Sequence, residues 1–109
     1  MPCPGGAGES ADMLIVAAMI TLVIPGNDSL KGKRRVVKSL MERVRHKFEA
    51  AVAEVGDNDL WQKARIGVAL VGNDSQLLNT RLQQIMTFIE DQYLAEIIDS
   101  QVELCYLEK

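Results

Sequence analysis

Hydrophobic and polar positions follow two different periods along this chain, and the change of period predicts strands and helices in turn. Met13 to Ile24, "MLIVAAMITLVI", is an unbroken apolar run with strand composition, which Pro25 and Gly26 end. The next segment starts at Ser29, a good N-cap residue, and predicts a helix to about Phe48. Its apolar side chains fall within one arc of about 100° on a helical wheel: Leu30, Val37, Leu40, Met41, Val44 and Phe48.

The second half of the chain contains three further strands and one further helix. Ala50 to Val55 and Ala64 to Gly72 predict two short strands, and the polar segment "GDNDLWQK" connects them. A second amphipathic helix follows "NDS" and runs to about Asp91; its apolar arc consists of Leu78, Leu82, Ile85, Met86 and Ile89. Ala95 to Leu107 predicts the last strand. The predicted order is therefore β-α-β-β-α-β.

This order predicts the fold class. Two helices with one apolar stripe each need a sheet face to cover, and four strands joined by right-handed crossovers supply it. We therefore predict an α+β fold: a ferredoxin-like βαββαβ sandwich with a four-stranded antiparallel sheet and two helices on one face. The 109 residues, 48% of them hydrophobic, suffice for one such domain. Residues 1–12 are predicted to be a flexible N-terminal tail and residues 13–109 the single domain.

The first and third predicted strands are apolar at both alternate sets of positions, whereas a strand with one solvated face alternates apolar with polar residues. One explanation is that these central strands carry some exposed Ala and Val. The other is that a second copy of the chain covers the helix-free face and makes a homodimer. Met19→Asp or Ala69→Glu should then weaken the dimer.

The same apolar run bears on localisation. It is shorter than the roughly 20 residues that span a bilayer, and the residues before it include Glu9 and Asp12 but no basic residue, unlike a signal peptide. Cys3 and Cys105 lie at opposite ends of the chain without C-x-x-C spacing, which argues against a metal site, a redox pair or a structural disulfide. We therefore predict a cytoplasmic protein that does not bind membranes.

No catalytic motif is found in the sequence. "GNDSLKGK" resembles a phosphate-binding loop, but five residues separate Gly26 from Gly32 where the Walker pattern has four. Arg34 also stands where Ser or Thr would hold magnesium. Trp61 is expected to fill the edge of the core. We therefore expect no enzyme activity, no cofactor and no metal; a small enzyme with its site near Trp61 and Asp59 is a third hypothesis.

Charge is the feature that points to a function. Residues 31–47 contain eight basic residues and one acid, Glu42, a net +7, which leaves −10 for the rest of a chain whose net charge is −3. On the helical wheel, five of these cations form one stripe beside the apolar arc, which we call the basic ridge: Lys31, Arg34, Arg35, Lys38 and Arg45.

The concentration of positive charge predicts an anionic partner, most plausibly the phosphates of structured RNA or of a ribosomal particle. The predicted contact residues are the basic ridge and Lys33, near the helix N-terminus, where free backbone N–H groups favour phosphate. An acidic protein surface is the alternative partner. A third explanation is a solvated helix face that the chain's own acids, such as Glu54, Asp57 and Asp59, neutralise. Because "ARIGVALVG" lacks the aromatics of an RNA-recognition motif, any RNA contact should follow the backbone with little sequence preference.

Three segments carry a family resemblance: "IPGNDSLKGKRRVVKSL", "VAEVGDNDLWQKARIGVALVGND" and the final amphipathic helix. Together they resemble the YlxP-like family, small bacterial proteins with a domain of unknown function, over roughly residues 13–107. The resemblance implies a ferredoxin-like fold and no assigned catalytic residues. Genes of the family often lie near those of translation and ribosome-maturation factors, which favours the RNA hypothesis by association only. The N-terminal extension departs from the compact start usual in that family.

Overall fold

The structure, a computed structural model, describes residues 13–56 and 60–107. Its elements follow the predicted order: β1 (Met13–Val23), α1 (Leu30–Phe48), β2 (Ala51–Gly56), β3 (Lys63–Gly72), α2 (Ser75–Asp91) and β4 (Glu96–Leu107). The strands form one antiparallel sheet in the order β2-β3-β1-β4. This arrangement confirms the predicted ferredoxin-like α+β fold. The predicted tail, residues 1–12, lies outside the described residues.

Both helices begin at side-chain caps and end at left-handed residues. The Ser29 hydroxyl accepts a hydrogen bond from the Gly32 N–H at 3.0 Å, and the Asp74 carboxylate accepts two from the first turn of α2. These bonds satisfy backbone donors that an uncapped helix would leave unpaired. After α1, Glu49 adopts a φ of 53°, and after α2, Tyr93 adopts a φ of 56°.

The hydrophobic core lies between the two helices and one face of the sheet. Alternate residues of β1 and β3 point into it, and each helix adds the apolar stripe that its sequence predicts. The helices' fully buried apolar side chains are Val37, Leu40 and Val44 on α1, and Leu78, Leu82, Ile85 and Ile89 on α2. Each such side chain contributes about 1.5–3 kcal/mol by leaving water. The remaining residues of β1 and β3 lie on the opposite, helix-free face of the sheet.

The apolar run near the start of the chain forms β1, one of the two central strands. Among residues 13–56 and 60–107, no helix is long and apolar enough to cross a membrane. Cys105 near the end of β4 is disulfide-bonded, contrary to the sequence-based expectation. Cys3 lies outside the described residues.

The prediction that Trp61 fills the edge of the core is wrong, since its side chain is 55% exposed. Its backbone is nevertheless fixed. The Asn27 side chain donates to the carbonyls of Trp61 and Ser29, and the Gln62 side chain donates to the Asn27 carbonyl at 3.0 Å. These bonds tie the loop before α1 to the segment before β3, and they leave the indole ring outside the core.

Candidate nucleic-acid interface

The structure places all five residues of the basic ridge on the solvent-exposed surface of α1. Lys31, Arg34, Arg35 and Lys38 are spaced three and four residues apart, so they are neighbours on two successive turns. Arg45 extends the same side of the helix two turns further. The ridge predicted from the helical wheel therefore exists as a stripe of exposed cations on one side of α1, with the exposed Glu42 between Lys38 and Arg45.

The ridge lies on the side of α1 that faces β2, an edge strand of the sheet. The Arg45 guanidinium donates to the Val52 carbonyl of β2 at 2.5 Å, which fixes this orientation. On the opposite side, α1 packs against α2 through other cations. Arg43 donates to the Gln92 side chain at 2.6 Å, and the Lys47 ammonium lies 4.8 Å from the centre of the Phe88 ring. The cations that face α2 thus add contacts between the two helices.

Lys33 is separated from the ridge. Its side chain is only 1% exposed, and its Nζ lies 3.8 Å from Oε2 of Glu54 on β2. The sequence contains a signal for this burial, because Lys33 precedes Val37 by four residues and Leu40 by seven, which places it within the apolar stripe. Grouping the residue with its charged neighbours along the chain missed that signal.

Glu54, the one described carboxylate of those expected to neutralise the ridge, forms its ion pair elsewhere. Glu54 pairs with the buried Lys33, and Asp57 and Asp59 lie outside the described residues. Within residues 13–56 and 60–107, no carboxylate lies at salt-bridge distance from Lys31, Arg34, Arg35 or Lys38. Like charges three or four residues apart on a helix repel by about 0.2–0.5 kcal/mol per pair. An anion that binds the ridge would remove this repulsion.

The N-terminus of α1 contributes less to anion binding than its sequence suggests. The Ser29 hydroxyl already accepts the hydrogen bond of the Gly32 N–H. A side chain at position 32 would collide with Oδ1 of Asn27, so the first turn is closely covered by the chain's own polar atoms. The exposed ridge side chains therefore form the candidate site.

A family model and one curated relative match this chain. Residues 15–102 match a family model described as a protein of unknown function (DUF503). The uncharacterized protein YlxP of Bacillus subtilis (strain 168) is 37% identical over 62 residues, which cover 57% of this chain and 67% of that protein.

Among solved structures, the C-terminal segment of the alpha subunit of aIF2 from Pyrococcus abyssi is similar at 13% identity and a TM-score of 0.39. The match covers 89% of this chain and about half, 52%, of that structure. A likeness at this level carries no argument about function. The family model, by contrast, spans most of the domain, and the chain belongs to the YlxP-like DUF503 family of proteins of unknown function.

Proposed function

We propose that this protein is a non-enzymatic, cytoplasmic domain that binds structured RNA, or a ribosomal particle through its RNA, along the basic ridge of α1. The observation that carries the proposal is the exposure of Lys31, Arg34, Arg35 and Lys38 without a carboxylate partner among the described residues. The overall charge of the chain is −3. These cations are therefore a local cluster on an acidic protein, and not part of a basic surface that would attract any polyanion.

The chemistry of the ridge favours phosphates over nucleobases. Lys and Arg bind phosphate oxygens through charge-assisted hydrogen bonds, and a row of them along a helix can follow a nucleic-acid backbone. The described part of the helix-free sheet face bears no aromatic side chain on which a base could stack. The domain should therefore bind RNA by shape and charge, with little sequence preference.

The direct test is the double substitution Arg35→Glu and Lys38→Glu, assayed by fluorescence anisotropy with several unrelated structured RNAs. We expect binding to weaken for all of them alike, because neither residue would read a base edge. Two controls are matched: Arg81→Glu reverses an exposed cation on α2, and Lys33→Met removes a cation that is buried in α1. Both controls should bind as the unaltered protein does. A double variant that binds ribosomal RNA as tightly as the unaltered protein would refute the proposal.

The salt dependence of the same binding reaction gives the number of phosphates that the ridge neutralises. If all five ridge residues neutralise phosphates, log K should fall with log salt at a slope of roughly −3.5 on single strands or −4.5 on duplexes. The double variant should make the slope shallower by about 1.4 to 1.8. A slope near zero would exclude phosphate binding by the ridge.

An acidic protein partner would use the same cations, and a pull-down separates the two cases. Partners that are lost when the sample is treated with ribonuclease support the proposal. Partners that stay bound after that treatment, yet are lost in the double variant, would assign the ridge to protein binding instead.

A further inference from the structure

Trp61 is an exposed aromatic residue that the proposed function leaves unused. It is the chain's only tryptophan, and it is 55% exposed, although tryptophan is highly buried on average. Its neighbour Leu60 is 47% exposed. Single exposed apolar residues are common on protein surfaces, so the position of Trp61 decides what its exposure means.

The backbone at Trp61 is held in place from two directions. The Asn27 side-chain amide donates to the carbonyls of both Trp61 and Ser29, the latter at 2.7 Å. Gln62 is also bonded twice: its carbonyl accepts from the Ile24 N–H at 2.8 Å, and its side chain donates to the Asn27 carbonyl at 3.0 Å. The exposed ring is therefore presented on a fixed backbone, so a partner would order little of the chain on binding.

The same bonds set Trp61 beside the first turn of α1. One amide nitrogen of Asn27 bonds both carbonyls, so the carbonyl oxygens of Trp61 and Ser29 lie within about 6 Å of each other. Ser29 is the N-cap of α1, and Lys31, the first residue of the basic ridge, follows it by two positions. The residue with the exposed ring and the first cation of the ridge are therefore neighbours at one end of the helix.

We propose that Trp61 stacks on an unpaired base of an RNA whose phosphates bind the basic ridge, so that the preferred ligand is a structured RNA with a bulged nucleotide. This inference rests on the proposed function and narrows its substrate class. Inside a duplex the bases stack on one another, whereas an unpaired base can be splayed out onto an aromatic ring. Because every base has a π-face, the contact adds affinity without sequence preference, as the ridge does.

The charge near Trp61 favours a base over a phosphate at this position. Asp28 is exposed, and it lies between Asn27, which bonds to the Trp61 segment, and Ser29, the cap of α1. Its carboxylate repels a phosphate, but a nucleobase carries no charge at neutral pH. We therefore expect the phosphates along the ridge from Lys31 onwards and the base at the indole ring.

Two RNA duplexes that differ by one bulged nucleotide provide the first measurement, by fluorescence anisotropy. The unaltered protein should bind the bulged duplex more tightly than the fully paired one. Trp61→Ala should weaken binding to the bulged duplex by about fivefold to 150-fold, the range for the loss of one base–aromatic stack, and should leave binding to the paired duplex unchanged. Trp61→Phe, which keeps an aromatic ring, should retain most of the preference for the bulge.

The emission of Trp61 gives a second and direct readout, because the chain has no other tryptophan. Stacking of a base on the indole ring should quench this emission when the bulged duplex is added. The paired duplex, bound by the ridge alone, should leave the emission nearly unchanged. A duplex whose bulged nucleotide is abasic should bind and quench as the paired duplex does.

Tyr93→Ala is the matched control, since Tyr93 is a second exposed aromatic residue, at 90% exposure. It follows Gln92, whose side chain bonds Arg43 on the side of α1 that faces α2, away from the ridge. Its loss should change the affinity for neither duplex. Trp61→Ala keeps the backbone carbonyl to which Asn27 donates, so this variant should fold, which circular dichroism checks.

Failure of this inference and failure of the proposed function give different results. Equal affinity for the two duplexes, unchanged by Trp61→Ala, would refute stacking and leave RNA binding by the ridge in place. If neither duplex binds, or if binding survives the double substitution Arg35→Glu and Lys38→Glu, the proposed function fails and this inference with it. If Trp61→Ala does not fold, the abasic duplex decides, since binding as tight as that of the intact bulge would refute stacking.

Discussion

The two helices cover the same face of the same sheet, yet their outer surfaces differ. α1 has 19 residues and α2 has 17, both begin at a side-chain cap, and both bury one apolar stripe. The charge of α1 is nevertheless +7, whereas α2 has Arg81 against Glu90 and Asp91. The fold requires the stripe and the cap in both helices. It does not require so high a positive charge, since α2 lacks it, and the charge of α1 therefore calls for a closer look.

Part of that charge is structural after all. Of the eight basic residues in α1, the three outside the basic ridge all have partners within the domain: Lys33 with Glu54, Arg43 with Gln92, and Lys47 with the Phe88 ring. The other five are the basic ridge. Of these, only Arg45 makes a side-chain hydrogen bond within the described residues, to the Val52 carbonyl. The comparison thus divides one charged helix into cations that pack and cations that remain available to a partner.

The strongest test of the comparison concerns what the helices share. Leu40→Ala on α1 and Leu82→Ala on α2 remove fully buried side chains, and each should lower the free energy of unfolding by about 3 kcal/mol. Urea denaturation followed by circular dichroism measures this. Neither change should alter the affinity for RNA in conditions where the variant is folded. A loss below about 1 kcal/mol in one helix would show that the two stripes are not equivalent.

A smaller change in the free energy of unfolding is expected from the Lys33–Glu54 pair, and it tests whether Lys33 belongs to the cations that pack within the domain. Glu54→Ala leaves Lys33 buried without this carboxylate and should destabilise the domain by about 2 kcal/mol, less than a fully buried pair because Glu54 is 26% exposed. Lys33→Met keeps the volume, leaves a carboxylate that water can reach, and should cost less than about 1 kcal/mol. Thermal and urea unfolding of the two variants give the comparison. Equal losses of unfolding free energy in the two variants would contradict the idea that Lys33 is the more deeply buried partner of the ion pair.

The smallest effect on stability is expected where the helices differ most. Arg35→Glu and Arg81→Glu are the same substitution at exposed sites on α1 and α2, and each should change the free energy of unfolding by less than about 0.5 kcal/mol. In α1 the change also relieves repulsion with neighbouring cations. A loss of several kcal/mol from Arg35→Glu would mean that the ridge is part of the folded core's support and not a free surface.

The sequence predicts the elements of this fold well because their signals are local. Ser29 caps α1 as expected, and the predicted ends of the strands and helices lie within about two residues of the observed ones, the usual uncertainty of such boundaries. Apolar stripes, caps and turn residues act over a few neighbouring positions. A chain with consistent local signals therefore reveals its architecture.

Local sequence signals predict only part of the candidate site. The helical wheel predicts that the basic ridge is exposed, and it also places Lys33 inside the apolar arc of α1. It cannot show that Glu54 reaches Lys33, or that Arg43 meets Gln92, a residue 49 positions away. The exposure of Trp61 likewise depends on contacts between Asn27 and a segment that is distant in sequence. These facts follow from tertiary packing, which no short window of sequence contains.

The ends of the two helices show where the molecule could be made more robust. Glu49 and Tyr93 both adopt the left-handed conformation, which costs a residue with a Cβ about 1–2 kcal/mol, and both side chains are exposed. Glycine at either position would avoid that cost, but it would itself cost about 0.5–1 kcal/mol because a glycine loses more conformational entropy on folding. Since natural domains are stable by only about 5–15 kcal/mol, even a small net gain at each helix end would be a useful reserve. A glycine-stabilised scaffold would tolerate the large charge reversals that are needed to map the basic ridge.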